Sequence, residues 1–91
     1  MSEAKSITIS FEDEGPRSFS YTVDRAENAR LSCSSTGGEV TLYLSRAGCR
    51  KLAELIAKLG HGRYARGFHV HIGKDFDPDE EDVLCLTLSD E

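Results

Sequence analysis

The chain has 91 residues with 16 acidic and 11 basic side chains, a net charge of −5 and a pI near 5.1. That length fits one domain around one modest core, and 38% hydrophobic residues without any apolar run near the ~20 needed to cross a bilayer exclude a membrane-spanning helix. The acidic balance disfavours nucleic acid and anionic membranes and favours a basic partner, so the expected partners are proteins, with no nucleic acid and no membrane.

Residues 1–5 read as a flexible tail lacking the basic and apolar regions of a secretory leader, and 6–91 as a single domain; the expected location is cytoplasmic. Ile7, Ile9 and Phe11 alternate with Thr8 and Ser10, and Phe19, Tyr21 and Val23 with Ser18, Ser20 and Thr22. These period-two runs, separated by Glu12-Asp13-Glu14-Gly15-Pro16, predict a hairpin. A third strand falls near Arg30–Ser35. Gly37-Gly38 supplies the two positive-φ positions of a type I′ turn, which would set Thr36 against Glu39, Cys33 against Leu42 and Leu31 against Leu44, with Cys33 in the core. Thr41 and Tyr43 then face the other way.

Ser45 is the expected N-cap of a helix over 46–59, in which Cys49, Leu52, Ile56 and Leu59 form the apolar stripe. Ala53 and Leu55 flank that stripe; Arg50, Lys51, Glu54 and Lys58 lie mainly outside it, and Gly60 is the expected C′ residue. Gly48, a poor helix former, marks a close approach to the sheet. A basic loop with Arg63, Tyr64 and Arg66 leads into Gly67-Phe68-His69-Val70-His71-Ile72-Gly73, a strand with Phe68, Val70 and Ile72 on one face and two histidines on the other. An acidic loop, Asp75 to Asp82, precedes a last strand in which Leu84, Leu86 and Leu88 alternate with Cys85, Thr87 and Ser89. The whole predicts an α+β fold of two layers: a mostly antiparallel sheet in the order ββββαββ with one amphipathic helix packed on one face.

The uncovered face of such a sheet carries Thr8, Ser10, Ser20, Thr22, Thr41, Tyr43, His69, His71, Cys85 and Thr87. A polar, uncharged face of this kind is either a solvated sheet surface or a docking surface. His69 and His71 stand about 6.6 Å apart along the strand, within bridging reach of a metal, and pairing of the last two strands would add Cys85. No carboxylate is fixed beside them by spacing, so neither metal nor cofactor is expected. The three cysteines, Cys33, Cys49 and Cys85, are odd in number and lack a Cys-x-x-Cys pair, which reads as reduced thiols. A flat sheet offers Cys85 no oxyanion pocket, so no catalytic residue is assigned. Asp75-x-Asp77-x-Asp79 superficially follows a calcium loop, but Pro78 and Glu80, the latter at the position requiring glycine, oppose that geometry. The loop, with Asp75, Asp77, Asp79, Glu80 and Glu81, suits electrostatic steering of a basic partner.

The second half, Val40-Thr41-Leu42-Tyr43-Leu44-Ser45 through the helix to Gly67-Phe68-His69-Val70-His71-Ile72 and Val83-Leu84-Cys85-Leu86-Thr87-Leu88, resembles the immunity protein 32 family of bacterial polymorphic toxin systems. The likeness covers roughly residues 39–89 and rests chiefly on the His-x-His strand. It implies a non-enzymatic inhibitor-type protein that neutralises a toxin, and it brings no catalytic residues. The expected contact residues are His69, His71, Tyr43 and Cys85 of the open face with Asp75, Asp77, Asp79, Glu80 and Glu81 of the loop, on a monomer or homodimer. The alternative is a small metal-binding or catalytic protein built on His69, His71 and Cys85.

Overall fold

A computed structural model describes residues 2–76, 79, 81 and 84–90. The fold is α+β: a 3-10 turn at Arg25–Glu27, strands β1 (Leu31–Thr36) and β2 (Glu39–Leu44), helix α1 (Arg46–His61), and strands β3 (His69–Ile72) and β4 (Leu84–Thr87). β1 pairs antiparallel with β2 and β3 with β4, forming two two-stranded sheets instead of the one sheet expected.

The β1–β2 register is the one the glycine pair dictates. Thr36 faces Glu39, Cys33 faces Leu42 and Leu31 faces Leu44, while Gly37 and Gly38 take φ of 61° and 83°. Leu31 is buried and Leu42 and Leu44 pack against the core, but Cys33 is half-buried, short of the core position expected for it.

The order ββββαββ is not confirmed, because segments 7–11 and 19–23 carry no ladder among the described residues. Side-chain alternation persists without a ladder in 19–23, where Phe19, Tyr21 and Val23 lean on the core while Ser20 and Thr22 are exposed. It does not in 7–11, where Ile7, expected on a buried face, is 80% exposed because no partner strand among the described residues covers it. Local bonds replace the ladder. The Glu14 carboxylate accepts from both the Ser20 amide, at 2.8 Å, and the Ser20 hydroxyl, and the Asp13 carboxylate accepts from the Gly15 amide at 3.1 Å. The Ser20 N–H that a hairpin would use is thereby taken, and Pro16 has none to give.

Ser45 caps α1 and also fastens it to β1. Its hydroxyl accepts from the Gly48 amide at 3.0 Å and the Arg30 amide at 2.8 Å, and donates to the Asn28 carbonyl at 2.8 Å. The helix continues two residues past the expected end, and Gly62 caps it by donating to the Lys58 carbonyl at 2.9 Å. Its inward stripe is also rotated from the expected one. Ala47, Gly48, Leu52, Leu55, Lys58 and Leu59 are buried, whereas Cys49 is exposed and Ile56 is 51% exposed. The reason lies at Gly48: a Cβ there would stand 2.2 Å from the Arg30 carbonyl oxygen, so the helix backbone itself touches the start of β1 and sets the helix phase.

The core joins α1 to both sheets through Ala29, Leu31, Ala47, Leu52, Leu55, Ile72 and Phe76, with Val70, Leu84 and Leu86 packed on it from β3 and β4. Phe68 sits beside this core in an aromatic stack, its ring centroid 4.3 Å from that of Tyr64, and Phe19 closes the group at 5.6 Å from Tyr64. No helix among the described residues is long and apolar enough to cross a membrane.

Candidate functional site

The β3–β4 sheet is two-sided by construction. Val70, Ile72, Leu84 and Leu86 point to the core, and the alternate positions His69, His71, Cys85 and Thr87 are exposed on the outer face. The ladder sets His71 opposite Cys85 and His69 opposite Thr87, the same-face arrangement expected from the sequence. Pairing extends beyond the strands: the Gly67 amide donates to the Leu88 carbonyl and the Leu88 amide to the Phe68 carbonyl, each at 2.9 Å. Gly67 itself has φ of 88°, a left-handed conformation that starts the strand and is easiest for glycine.

On that face the two imidazoles lie with ring centroids 5.3 Å apart and planes at 88°. His69 Nδ1 is 3.2 Å from the Gly67 carbonyl oxygen. A carbonyl only accepts, so this contact calls for the proton on Nδ1, and in the neutral ring Nε2 is then the nitrogen with the lone pair. The Cys85 sulfur contacts the Thr87 hydroxyl at 3.5 Å, across one step of its own strand. Among the described residues, no group of three or more His, Cys, Asp or Glu side chains converges to hold a metal.

Tyr43 is 60% exposed, but it belongs to β2 and faces Ser32, so it stands on the other sheet from the two histidines. The expected continuous face is therefore divided. Asp75 accepts from the Tyr21 hydroxyl at 2.7 Å, which ties the start of the acidic loop to segment 19–23. Asp79 and Glu81 are exposed. Asp77 and Glu80 lie outside the described residues. The basic loop is partly neutralised as well, because Arg63 pairs with Asp13 at 2.9 Å. Tyr64 in this loop is buried, not solvent-facing, and its hydroxyl donates to the Ser18 carbonyl at 2.7 Å. Burial pushes its phenol pKa up.

A polar centre that the sequence reading missed lies under segment 14–20. Lys58 is buried at 6% exposure, its ammonium donating to the Glu14 carboxylate and, at 2.7 Å, to the Ser20 carbonyl, while sitting 4.9 Å from the centre of the Phe19 ring. The Lys58 and Ser20 bonds hold the Glu14 pKa down to about 2. Glu14, Ser20 and Lys58 line an open groove of about 450 Å³ together with Glu12, Tyr21, Lys51 and Glu54. The signal for it was the helix phase: with Leu52, Leu55 and Leu59 inward, Lys58 stands beside Leu59 on the buried flank. Because Lys58, Glu14 and Ser20 satisfy one another, this centre reads as a clamp holding the N-terminal segment to α1.

Comparison with known protein families, with curated proteins and with solved structures finds no match for this chain.

Proposed function

We propose that this chain is a non-enzymatic binding protein of the immunity or inhibitor type, which acts in the cytoplasm and neutralises a protein partner, a basic toxin or effector, through the outer face of β3–β4. The observation that carries the reading is the division of that small sheet. Val70, Ile72, Leu84 and Leu86 anchor it to the core, while His69, His71, Cys85 and Thr87 remain exposed, polar and without formal carboxylate or ammonium charge. A backed face of this kind needs little ordering on association, and aromatic and hydrogen-bonding groups at its centre suit a protein interface. Exposed carboxylates at Asp79 and Glu81 in the following loop supply charge at its border, where a basic partner would be steered. Tyr43 and Val40, 60% and 64% exposed, stand on opposite faces of the other sheet and form no joint patch.

The test is co-purification from the native gene context. Wild-type chain is expected to retain a neighbouring toxin or effector and to relieve its toxicity. His71→Arg and Thr87→Arg, which put bulk and charge on the face without touching the core, should lose that partner while keeping wild-type circular dichroism. Retention of the partner by both variants would place the interface elsewhere.

A further inference from the structure

We infer that His69 and His71 form a two-imidazole site for a divalent transition ion of the zinc, nickel and copper class. The inference stands on the geometry of β3 and holds whether or not the face also docks a protein. Two residues apart on a strand, the side chains leave on the same side, and their ring centroids are 5.3 Å apart. Imidazole nitrogens bind such ions at about 2.0–2.1 Å, which puts each ring centroid about 3 Å from the ion and, at a tetrahedral angle, the two centroids about 5 Å apart. The observed centroid spacing of 5.3 Å falls at that value, with the ring planes at 88°.

The second observation concerns the far side of His69. Its Nδ1–H faces the Gly67 carbonyl at 3.2 Å, leaving Nε2 as the available donor. Histidines that hold metals generally give their other N–H to a carbonyl or carboxylate, which fixes both tautomer and ring orientation. The Gly67 carbonyl is positioned for this by a left-handed backbone, φ 88°, and by the hydrogen bond from the Gly67 amide to the Leu88 carbonyl. The ligand atoms are neutral nitrogens, so the site suits borderline transition ions and discriminates against magnesium and calcium, which take oxygen ligands. With two protein ligands on an exposed face, the remaining coordination positions belong to water, or to a donor side chain from a protein bound to the same face. Cys85, opposite His71, has its sulfur against the Thr87 hydroxyl at 3.5 Å and is not one of the ligands.

Titration of untagged protein with zinc sulfate and with copper(II) chloride, followed by calorimetry and by nitrogen NMR of the histidine rings, tests the site. One ion per chain is expected, copper binding more tightly than zinc, with His69 already in the Nδ1–H form before addition. His69→Gln and His71→Gln should each weaken uptake by at least about tenfold, since loss of an outer-shell partner alone typically costs 10–100-fold. Cys85→Ser and His61→Gln should leave uptake unchanged. Both ring positions are exposed, and circular dichroism of the variants separates lost binding from lost folding. Absence of uptake, uptake insensitive to either glutamine variant, or uptake lost in Cys85→Ser would each overturn the two-imidazole site. None of these outcomes depends on whether a protein partner co-purifies.

Discussion

Alanine for glycine inside a helix ordinarily stabilises a protein by about 0.8–1.0 kcal/mol, and Gly48→Ala is expected to do the reverse here. The new Cβ would stand 2.2 Å from the Arg30 carbonyl oxygen and 3.1 Å from the Arg30 carbonyl carbon, where ordinary contact begins at 3.4 Å. Neither neighbour is the far end of a flexible side chain, so relief requires α1 to move off β1 by more than an ångström. That movement strains the Ser45 hydroxyl, which bonds the Gly48 and Arg30 amides at 3.0 and 2.8 Å. Overpacking costs about 1–3 kcal/mol and a weakened hydrogen bond about 1 kcal/mol, against the gain of about 1 kcal/mol in helix propensity. The net is a loss of about 2 kcal/mol, which for a domain of this size lowers Tm by roughly 8–16 °C. Thermal unfolding followed by circular dichroism reads it directly. An unchanged or raised Tm in Gly48→Ala would refute the close approach of α1 to β1 and, with it, the explanation of the helix phase.

The rotated phase makes a paired forecast: Leu55→Ala, at a residue 1% exposed, should cost about 2–5 kcal/mol, whereas Ile56→Ala, at one 51% exposed, should stay within about 0.5 kcal/mol in urea unfolding. Equal effects would contradict the stripe. The Glu14 carboxylate has a folded pKa of about 2 against an ordinary 4.5, so the charged form favours the folded state. Its contribution is complete above pH 4.5 and is lost as pH falls from 4.5 towards 2. Stability measured across that window should fall less steeply in Glu14→Gln than in wild type; identical slopes would remove Glu14 from the clamp. Tyr64→Phe deletes the donor to the Ser18 carbonyl while keeping the ring stacked on Phe68, and is expected to cost about 1 kcal/mol. No loss in chemical unfolding would mean that this bond does not fasten segment 18–23.

The parts of the fold that were legible in the sequence are those decided by neighbours in the chain. The Gly37-Gly38 turn and the alternation on either side fixed a register confirmed pair by pair, and Ser45 was readable as a cap because its partner amide lies three residues on. The α+β class followed from the same periodicities. What failed depended on contacts distant in sequence. Segments 7–11 and 19–23 alternate in sequence as strands do, yet alternation does not say which group accepts a given amide: the Ser20 amide goes to the Glu14 carboxylate, and Ile7 is left exposed. The helix stripe was misphased because Cys49 and Ile56 are apolar enough to count, while the deciding contact, Gly48 on the Arg30 carbonyl, joins backbone to backbone. Lys58 was assigned mainly outside the stripe because its compensating acid is 44 residues away.

At the candidate site, the shared face of His69, His71 and Cys85 was legible from period two and the pairing of the last strands, and the structure sets Cys85 opposite His71 as that pattern requires. The separation of Tyr43 onto a second sheet was not legible, since a sequence does not state strand order. Nor was the hydrogen bond that orients His69, because it depends on the φ of 88° at Gly67.

The most direct test of the binding reading compares retention of the native partner by wild type, by His71→Arg and Thr87→Arg on β3–β4, and by Val40→Arg on the β1–β2 sheet. Loss of the partner in the two β3–β4 variants with retention in Val40→Arg is the predicted result. Retention in His71→Arg and Thr87→Arg, with loss only in Val40→Arg, would contradict the account.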